Sequence, residues 1–157
     1  MNRLLDRLVE LLNRIPASLV ALFARVGIGA TFWLSGQTKV EGFVLDPIGL
    51  HAEFGWPHVS EGALELFRSE YALPLLPPEL AANLAAFSEH LFPLMLLFGL
   101  GTRFAALALL GMTAVIEVFV YPDAWPTHAV WAASLLYLVA RGPGVLSLDH
   151  LLGRRAR

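Results

Sequence analysis

Apolar residues recur along this chain in four long runs, separated by one long polar segment and by short turns. The runs cover residues 17–36, 80–101, 102–121 and 127–146. Twenty helical residues rise about 30 Å, which is enough to cross the hydrocarbon core of a bilayer. The pattern therefore predicts four transmembrane helices. The fourth run is the weakest, because its strictly apolar part, 129–140, is short.

The residues before the first run follow a helical period. Within 1–16, leucines fall on one face and charged residues on the other, and Pro16 ends the pattern. This predicts an amphipathic helix that lies on the membrane surface, and a helix packed on a soluble core is the alternative. The acidic segment 37–79 forms a long outer loop, in which Ser60 is suited to be the N-cap of a short surface helix.

Composition agrees with an all-α integral membrane protein that forms a single membrane domain over 1–157. The chain is 57% hydrophobic and only 15% charged, whereas soluble domains are about 25% charged. Its net charge of −2 excludes the basic surface that nucleic-acid binding needs. The absence of cysteine excludes thiolate catalysis, iron–sulfur clusters and Cys-ligated zinc. The expected fold is a four-transmembrane-helix bundle with an N-terminal interfacial helix, and its first partner is the lipid bilayer.

Basic residues are distributed unevenly over the two sides of this arrangement. The side of the termini carries Arg3, Arg7, Arg14, Arg103, Arg141, Arg154, Arg155 and Arg157. The opposite side carries Lys39 and Arg68, and Arg25 lies within the first span. The positive-inside rule then predicts a multi-pass protein of a prokaryotic inner (cell) membrane, with both termini in the cytoplasm.

Ionisable residues within the predicted spans are the first candidates for a site. Arg25, Glu89 and Glu117 each cost about 2.5–3.5 kcal/mol at the centre of a span, so we expect them to face the interior of the bundle. Gly29 and Gly36 share a helical face with Arg25 and leave room for its guanidinium. The depths of the two residues predict an ion pair between Arg25 and Glu89.

Pro93 adds a further polar group to the second span. Because proline has no amide proton, the carbonyl of Glu89 loses its helical partner and the span is expected to kink. A second polar group, formed by Gln37, Lys39, Glu117 and His128, is expected near the outer face, where it would border a cavity whose deeper end is formed by Glu89 and His90. The candidate ligand-binding or proton-relay residues are Arg25, Gln37, Lys39, Glu89, His90, Glu117 and His128. Two interpretations stay open, since these side chains either form a functional site or only satisfy one another and the interfacial water.

Metal and haem sites receive little support from the pattern. His90 is expected to lie deep and His128 at the rim, which does not suit two axial ligands of one haem. His51, Glu53 and His58 lie in the outer loop, where no strand is apparent and where their spacing is poor evidence for a metal. No metal site and no catalytic residue is therefore predicted.

Three stretches resemble the DoxX family of small prokaryotic four-span membrane proteins. They are "RVGIGATFWLSGQTKV" (25–40), "SEHLFPLMLLFGLGTRFAAL" (88–107) and "ARGPGVLSLDHLL" (140–152). The residues that carry the resemblance are Arg25, Ser35, Gly36, Lys39, Glu89, Gly99, Thr102, Arg103, Gly142, Pro143, Gly144, Ser147 and Asp149. The segments 67–85 and 121–128 are similar to the subgroup encoded beside multinuclear iron oxidase-like proteins.

The resemblance implies a four-helix membrane bundle associated with redox work. Relatives occur as subunits of thiosulfate:quinone oxidoreductase or as membrane partners of oxidative-stress and sulfur-transfer enzymes. The first hypothesis is therefore an accessory subunit, not a self-sufficient enzyme, which binds a quinone-type or other small ligand, or relays protons, for a partner oxidoreductase. No bound cofactor follows from the sequence itself.

Two alternatives to the redox hypothesis stay open. One is a non-catalytic anchor or scaffold for a stress- or metal-related complex, in which the polar cluster only stabilises the bundle. The other is a transporter of a small solute or metal. A transporter of four spans would have to oligomerise, and Gly27, Gly29 and the alanine-rich third span would permit close association of copies as a homo-oligomer.

Overall fold

Four long helices form the body of the protein, and a two-stranded β-hairpin lies beside them. The computed structural model describes residues 3–46 and 49–155. The elements are α1 (Arg3–Leu12), α2 (Ala17–Gln37), β1 (Val40–Asp46), β2 (His51–Val59), α3 (Glu61–Leu66) with a π-helical turn (Phe67–Tyr71), α4 (Pro78–Phe98), α5 (Thr102–Phe119) with a 3₁₀ turn (Pro122–Ala124), α6 (Trp125–Arg141) and α7 (Leu148–Arg155).

The four long helices pack in a ring. Helix α2 contacts α4 and α6, and α5 contacts the same two helices. Large side chains meet small ones in the core, which lets the helix backbones approach closely. The core consists of Ala21, Ile28, Phe32, Leu96, Ala105, Ala106, Leu109, Leu135 and Leu138. The outer faces of the helices remain apolar, with Phe23, Phe87 and Phe104 among the most exposed side chains.

Within the described ranges, three helices, α2, α4 and α5, are long and apolar enough to cross a membrane. Helix α6 has 17 residues and is shorter than these three. The fourth apolar run was expected to continue to residue 146, but the helix ends at Arg141 because Gly142 adopts a positive φ of 76°. Helix α4 begins with Pro78 in its first turn and ends before Gly99, whose φ is 66°.

Helices α2 and α4 approach each other closely at the two glycines predicted to give Arg25 room. A Cβ atom added to Gly36 would lie 2.9 Å from Cε1 of His90 and 3.0 Å from Cβ of Glu89. A Cβ atom on Gly29 would lie 3.5 Å from the carbonyl oxygen of Pro93, which is buried within α4. These contacts fix which residues of the two helices lie at the same level.

The expectation that the outer loop contains no strand is wrong. Strands β1 and β2 pair in antiparallel fashion, from Val40 opposite Val59 to Asp46 opposite His51, with an irregularity after Glu41. Gly42 and Gly55 allow the two backbones to come together there. A Cβ atom on Gly42 would lie 2.5 Å from the carbonyl oxygen of Trp56. The loop is therefore a folded hairpin.

The short helix of the outer loop was predicted correctly. Ser60 is the N-cap of α3, and its side chain accepts a hydrogen bond from the amide of Ala63 at 3.1 Å. The π-helical turn that follows places Phe67 against Ala81 and Ala82 at the start of α4. This segment therefore packs on the bundle beside the outer end of α4.

The segment before α2 is helical from Arg3 to Leu12, as expected. Its apolar side chains are exposed, including Leu5 and Leu11 at 55% and 61%. Helix α1 thus presents an apolar face that the described part of the chain does not cover.

Candidate functional site

Arg25 lies at one end of the bundle, where it joins three parts of the chain. It is 1% exposed. Its Nη1 atom donates to the carbonyl oxygens of Leu96 and Leu97 at 3.2 and 3.4 Å, and its Nη2 atom donates to that of Leu146 at 2.5 Å. A guanidinium can bridge several acceptors in this way because its donors form a rigid fork. Arg25 therefore ties α2 to the end of α4 and to the segment that follows α6.

Asp149 seals the same end of the bundle. Its two carboxylate oxygens accept hydrogen bonds from the amides of Gly101 and Thr102 at 2.7 and 2.9 Å. These amides belong to the start of α5, where the first N–H groups of a helix have no partner within the helix. The amide of Asp149 in turn donates to the carbonyl oxygen of Gly99 at 2.9 Å. The G-P-G-x-x-S-L-D segment thus provides, through Asp149, hydrogen-bond partners for the start of α5 and for the carbonyl oxygen of Gly99.

The predicted ion pair between Arg25 and Glu89 is wrong. Gly36, at the outer end of α2, is level with Glu89. Arg25 lies 11 residues closer to the start of α2, a distance of about 16 Å along the helix axis. The prediction assumed that α2 and α4 end at similar depths. In the structure α4 continues outward past the end of α2, and the partner of Glu89 is Lys39.

Lys39 and Glu89 form a buried ion pair. The Nζ atom of Lys39 lies 2.8 Å from Oε2 of Glu89, and the side chains are only 12% and 4% exposed. Nζ also donates to the carbonyl oxygen and to Oγ of Ser35, at 3.1 and 3.0 Å. Glu89 keeps its second oxygen, Oε1, free of any donor in the described ranges 3–46 and 49–155. The charges balance, and one carboxylate oxygen is left for another group.

A cavity of about 290 Å³ adjoins this ion pair. Its polar lining includes Ser35, Lys39, Glu89 and His128. Most of the remaining wall is apolar, and it is formed by residues that include Phe32, Phe67, Leu84, Ala85, Met112, Ile116 and Trp131. An apolar cavity with a few fixed polar groups is the usual form of a small-molecule site.

His128 brings a second ionisable pair to the cavity. Its Nδ1 atom lies 2.6 Å from Oε2 of Glu117, and the His128 side chain is 6% exposed. The ring of Trp131 packs against the imidazole with a centroid distance of 5.0 Å. Glu117 orients the ring through Nδ1 and lies outside the cavity lining, whereas His128 is part of it.

Gln37 and His90 form a separate pair on another face. Nε2 of Gln37 lies 2.7 Å from Nε2 of His90, and Nδ1 of His90 lies 2.6 Å from the carbonyl oxygen of Ala86. His90 lines a groove with Trp33, not the cavity of Glu89. The single polar cluster expected from the sequence is therefore divided. Lys39, Glu89 and His128 share one cavity, while Arg25, Gln37, His90 and Glu117 lie outside it.

Two tyrosines at the outer end of the cavity belong to different segments. The hydroxyl of Tyr121, beyond the end of α5, donates to Oε1 of Glu70 at 2.5 Å and lies 3.5 Å from the hydroxyl of Tyr71. Both tyrosines line the cavity. The hydrogen bond to the carboxylate raises the pKa of Tyr121 above its usual value. We call Glu70, Tyr71 and Tyr121 the tyrosine latch.

Sequence reasoning missed Ser35, Tyr71, Tyr121 and Trp131 as cavity residues. The helical spacing of four residues between Ser35 and Lys39 was a usable signal, since such side chains share a face. No signal of this kind connects Tyr121 with Tyr71, because their contact joins residues that are distant in the chain. In the part of the chain that the structure describes, no group of three or more His, Asp or Glu side chains is placed to hold a metal ion.

Comparison with known proteins identifies the family. An uncharacterized protein of Haemophilus influenzae is 31% identical over 93 residues, which are 54% of this chain and 62% of the relative. The chain therefore spans less than two thirds of that relative's length. No solved structure matches the chain. The model of the DoxX family matches residues 20–122, a range that includes Arg25, the Lys39–Glu89 pair and the start of α5. The chain belongs to the DoxX family of membrane proteins.

Proposed function

We propose that this protein is a membrane subunit that binds a small lipophilic ligand, of the quinone type, in the cavity beside Lys39 and Glu89. It serves a partner oxidoreductase, which carries the electrons. The observation that carries the proposal is the buried ion pair at the wall of an apolar cavity. A cavity of about 290 Å³ suits one substituted ring near the lower end of the usual range of ligand sites.

As the membrane subunit proposed here, the protein crosses the membrane with four helices, of which α6 is the fourth. Support comes from the outer face of α6, where Val130 and Leu136 are 65% and 53% exposed, as expected of side chains in contact with lipid. Helix α1 lies on the membrane surface through its exposed leucines. Charge asymmetry supports cytoplasmic termini in a prokaryotic cell membrane. The latch and the hairpin then lie on the outer side.

The chemistry of the lining supports a planar, weakly polar ligand. Phe32 and Trp131 pack together at a centroid distance of 5.4 Å and form an aromatic wall. Glu89 and His128 supply polar groups for hydrogen bonds with oxygen substituents on a ring. The chain has no cysteine, so thiolate-held redox centres belong to the partner.

Ligand binding is the direct test. The full chain in lipid nanodiscs is titrated with decylbenzoquinone, oxidised or chemically reduced, and the quenching of tryptophan fluorescence is recorded. Saturable quenching by at least one form is expected, and it should be largely lost in Trp131→Phe, which removes the indole at the cavity. Empty nanodiscs correct for partition into lipid. If neither form binds saturably, the proposed function is wrong.

A charge-balanced double variant separates this function from that of a scaffold. Lys39→Met with Glu89→Leu removes both charges of the pair, and a buried pair replaced as a whole often leaves stability unchanged. We expect the double variant to fold, judged by thermal unfolding, and to lose ligand binding. The control is Arg68→Met with Glu79→Leu, which removes the exposed ion pair, 3.0 Å long, between the π-helical turn and the start of α4. A scaffold would retain activity of the partner complex in both variants.

A further inference from the structure

The donors and acceptors left open in the cavity decide which oxidation state of a ring the site prefers. This inference rests on the proposed function. An ammonium group has three donors and no acceptor, and Nζ of Lys39 already contacts three acceptors, namely the carbonyl oxygen and Oγ of Ser35 and Oε2 of Glu89. The cation at the cavity therefore has no donor left for a carbonyl oxygen of the ligand.

The carboxylate of Glu89 is in the opposite position. Only its Oε2 atom accepts a hydrogen bond from a described residue. Among the described residues, the fully buried side-chain polar atoms that have no hydrogen-bond partner are Arg25 Nε and Thr102 Oγ1. Oε1 of Glu89 has no partner and is not one of these atoms, so it is not fully buried. The residue lines the cavity. An ionised carboxylate oxygen accepts hydrogen bonds and repels a carbonyl oxygen.

His128 offers a second acceptor. Since its Nδ1 atom lies 2.6 Å from the carboxylate of Glu117, Nδ1 carries the proton and donates it to that acceptor. In the neutral ring the remaining nitrogen, Nε2, is then an acceptor. Nε2 has no partner in the described part of the chain, and it too is not fully buried. With a neutral imidazole, His128 thus presents an acceptor to the cavity, as Glu89 does.

The neutral polar groups of the cavity do not reverse this preference. The hydroxyls of Ser35, Ser88 and Tyr71 either donate or accept, and the indole N–H of Trp131 donates. They accommodate ligand oxygens of either kind. The charged acceptor is different, because a buried acceptor without a donor costs more than any of the neutral groups gains.

We infer that the site takes the hydroxyl-bearing, reduced form of a lipophilic ring, with one hydroxyl donating to Oε1 of Glu89, and discriminates against the carbonyl-bearing form. A hydroquinone and its benzoquinone have the same heavy atoms and differ by two hydrogens. Their difference in affinity therefore reports the hydrogen bond to Glu89 and not the fit of the ring. A hydrogen bond to a charged group corresponds to a difference of about tenfold or more.

The test uses decylhydroquinone and decylbenzoquinone with the full chain in nanodiscs, under anoxic conditions. Binding is measured by calorimetry, with the heat of partition into empty nanodiscs subtracted. The wild type is expected to bind the hydroquinone about tenfold tighter or more. In Glu89→Gln the amide offers a donor as well as an acceptor, so the ratio should fall to within about threefold. Glu79→Gln, on the exposed part of α4, should keep the wild-type ratio.

The outcomes separate this inference from the proposed function. Equal affinities in the wild type, or a preference for the benzoquinone, would overturn the inference and leave a ligand site in place. A tenfold preference that persists in Glu89→Gln would also overturn it, since the carboxylate would not be the acceptor. Absence of saturable binding for both compounds would overturn the proposed function itself. The ratio of the two affinities in the wild type tests the inference even if a variant does not fold.

Discussion

Among the described residues, Arg25 and Lys39 are cations with little exposed surface, and they are used in different ways. Arg25 donates to backbone carbonyls of α4 and of the segment after α6, and it is not part of the lining of the cavity beside Glu89. Lys39 is bound by Ser35 and by a carboxylate whose other oxygen borders a cavity. Both belong to the motifs that characterise the family resemblance, so a motif residue of this protein is not by itself a site residue.

The difference follows from what each cation neutralises. Arg25 satisfies carbonyls at the end of α4, where the last C=O groups of a helix lack partners, and both of its terminal nitrogens donate to the backbone. Lys39 neutralises a single carboxylate and leaves one of its two oxygens available to accept another hydrogen bond. The first arrangement stabilises the fold, and the second prepares a group to meet a ligand.

The largest expected effect comes from removing Arg25. Arg25→Leu leaves the carbonyls of Leu96 and Leu146 buried without their donor, so we expect about 3–5 kcal/mol of destabilisation. Arg25→Lys should recover only part of this, because an ammonium lacks the fork of the guanidinium. Thermal unfolding in detergent measures the effect.

A matched arginine serves as the control for that experiment. Arg68→Leu removes an exposed ion pair with Glu79, for which less than about 1 kcal/mol is expected. Equal losses for Arg25→Leu and Arg68→Leu would contradict the structural role assigned to Arg25.

A smaller effect is expected where α2 meets the ion pair. Gly36→Ala places a Cβ atom 3.0 Å from Cβ of Glu89 and 2.9 Å from the ring of His90, which is held by Gln37 and by the carbonyl of Ala86. Such overpacking costs about 1–3 kcal/mol, and it should weaken ligand binding as well because Glu89 shifts.

The same substitution at Gly27 is the control. A Cβ atom there meets no heavy atom within 4 Å, and alanine is the better helix former by about 1 kcal/mol. Gly27→Ala should therefore leave the unfolding temperature unchanged or raise it. If both variants behave alike, the close approach at Gly36 does not control the ion pair.

The smallest effect on stability is expected at the tyrosine latch. Tyr121→Phe removes the exposed hydrogen bond to Glu70, which contributes less than about 1 kcal/mol, and should mainly speed dissociation of ligand from the cavity. Because the folded-state pKa of Tyr121 is raised above 10.0, the folded form retains this proton more tightly than the unfolded one. The contribution to stability is thus fully present below pH 10 and is lost as the pH rises through the folded-state pKa. A stability profile at alkaline pH identical in wild type and Tyr121→Phe would contradict the latch.

Local signals in the sequence were sufficient for several elements. The spacing and the N-cap predicted α3 at Ser60, and Pro78 marked the start of α4. Gly29 and Gly36 were assigned to the face of α2 that meets its neighbour, because their spacing repeats the helical period. These features depend on residues that are close together in the chain, which a periodic pattern reports directly.

Relations between distant segments could not be obtained in this way. The pairing of Lys39 with Glu89 depends on how far α4 extends beyond α2, and helix lengths alone do not give that offset. The hairpin was missed because Gly42 and Pro57 interrupt the alternation that marks a strand. Asp149 caps a helix that begins 47 residues earlier, and no local pattern announces such a contact.

The bond from Arg25 to Leu146 joins residues that are 121 positions apart, and this has a consequence for biosynthesis. When the ribosome delivers α2 to the membrane, the acceptors of its guanidinium have not yet been made. The carbonyls at the end of α4 arrive first, and that of Leu146 arrives only after α6. The guanidinium therefore acquires its acceptors in two steps, and it gains the last of them only when translation is nearly finished.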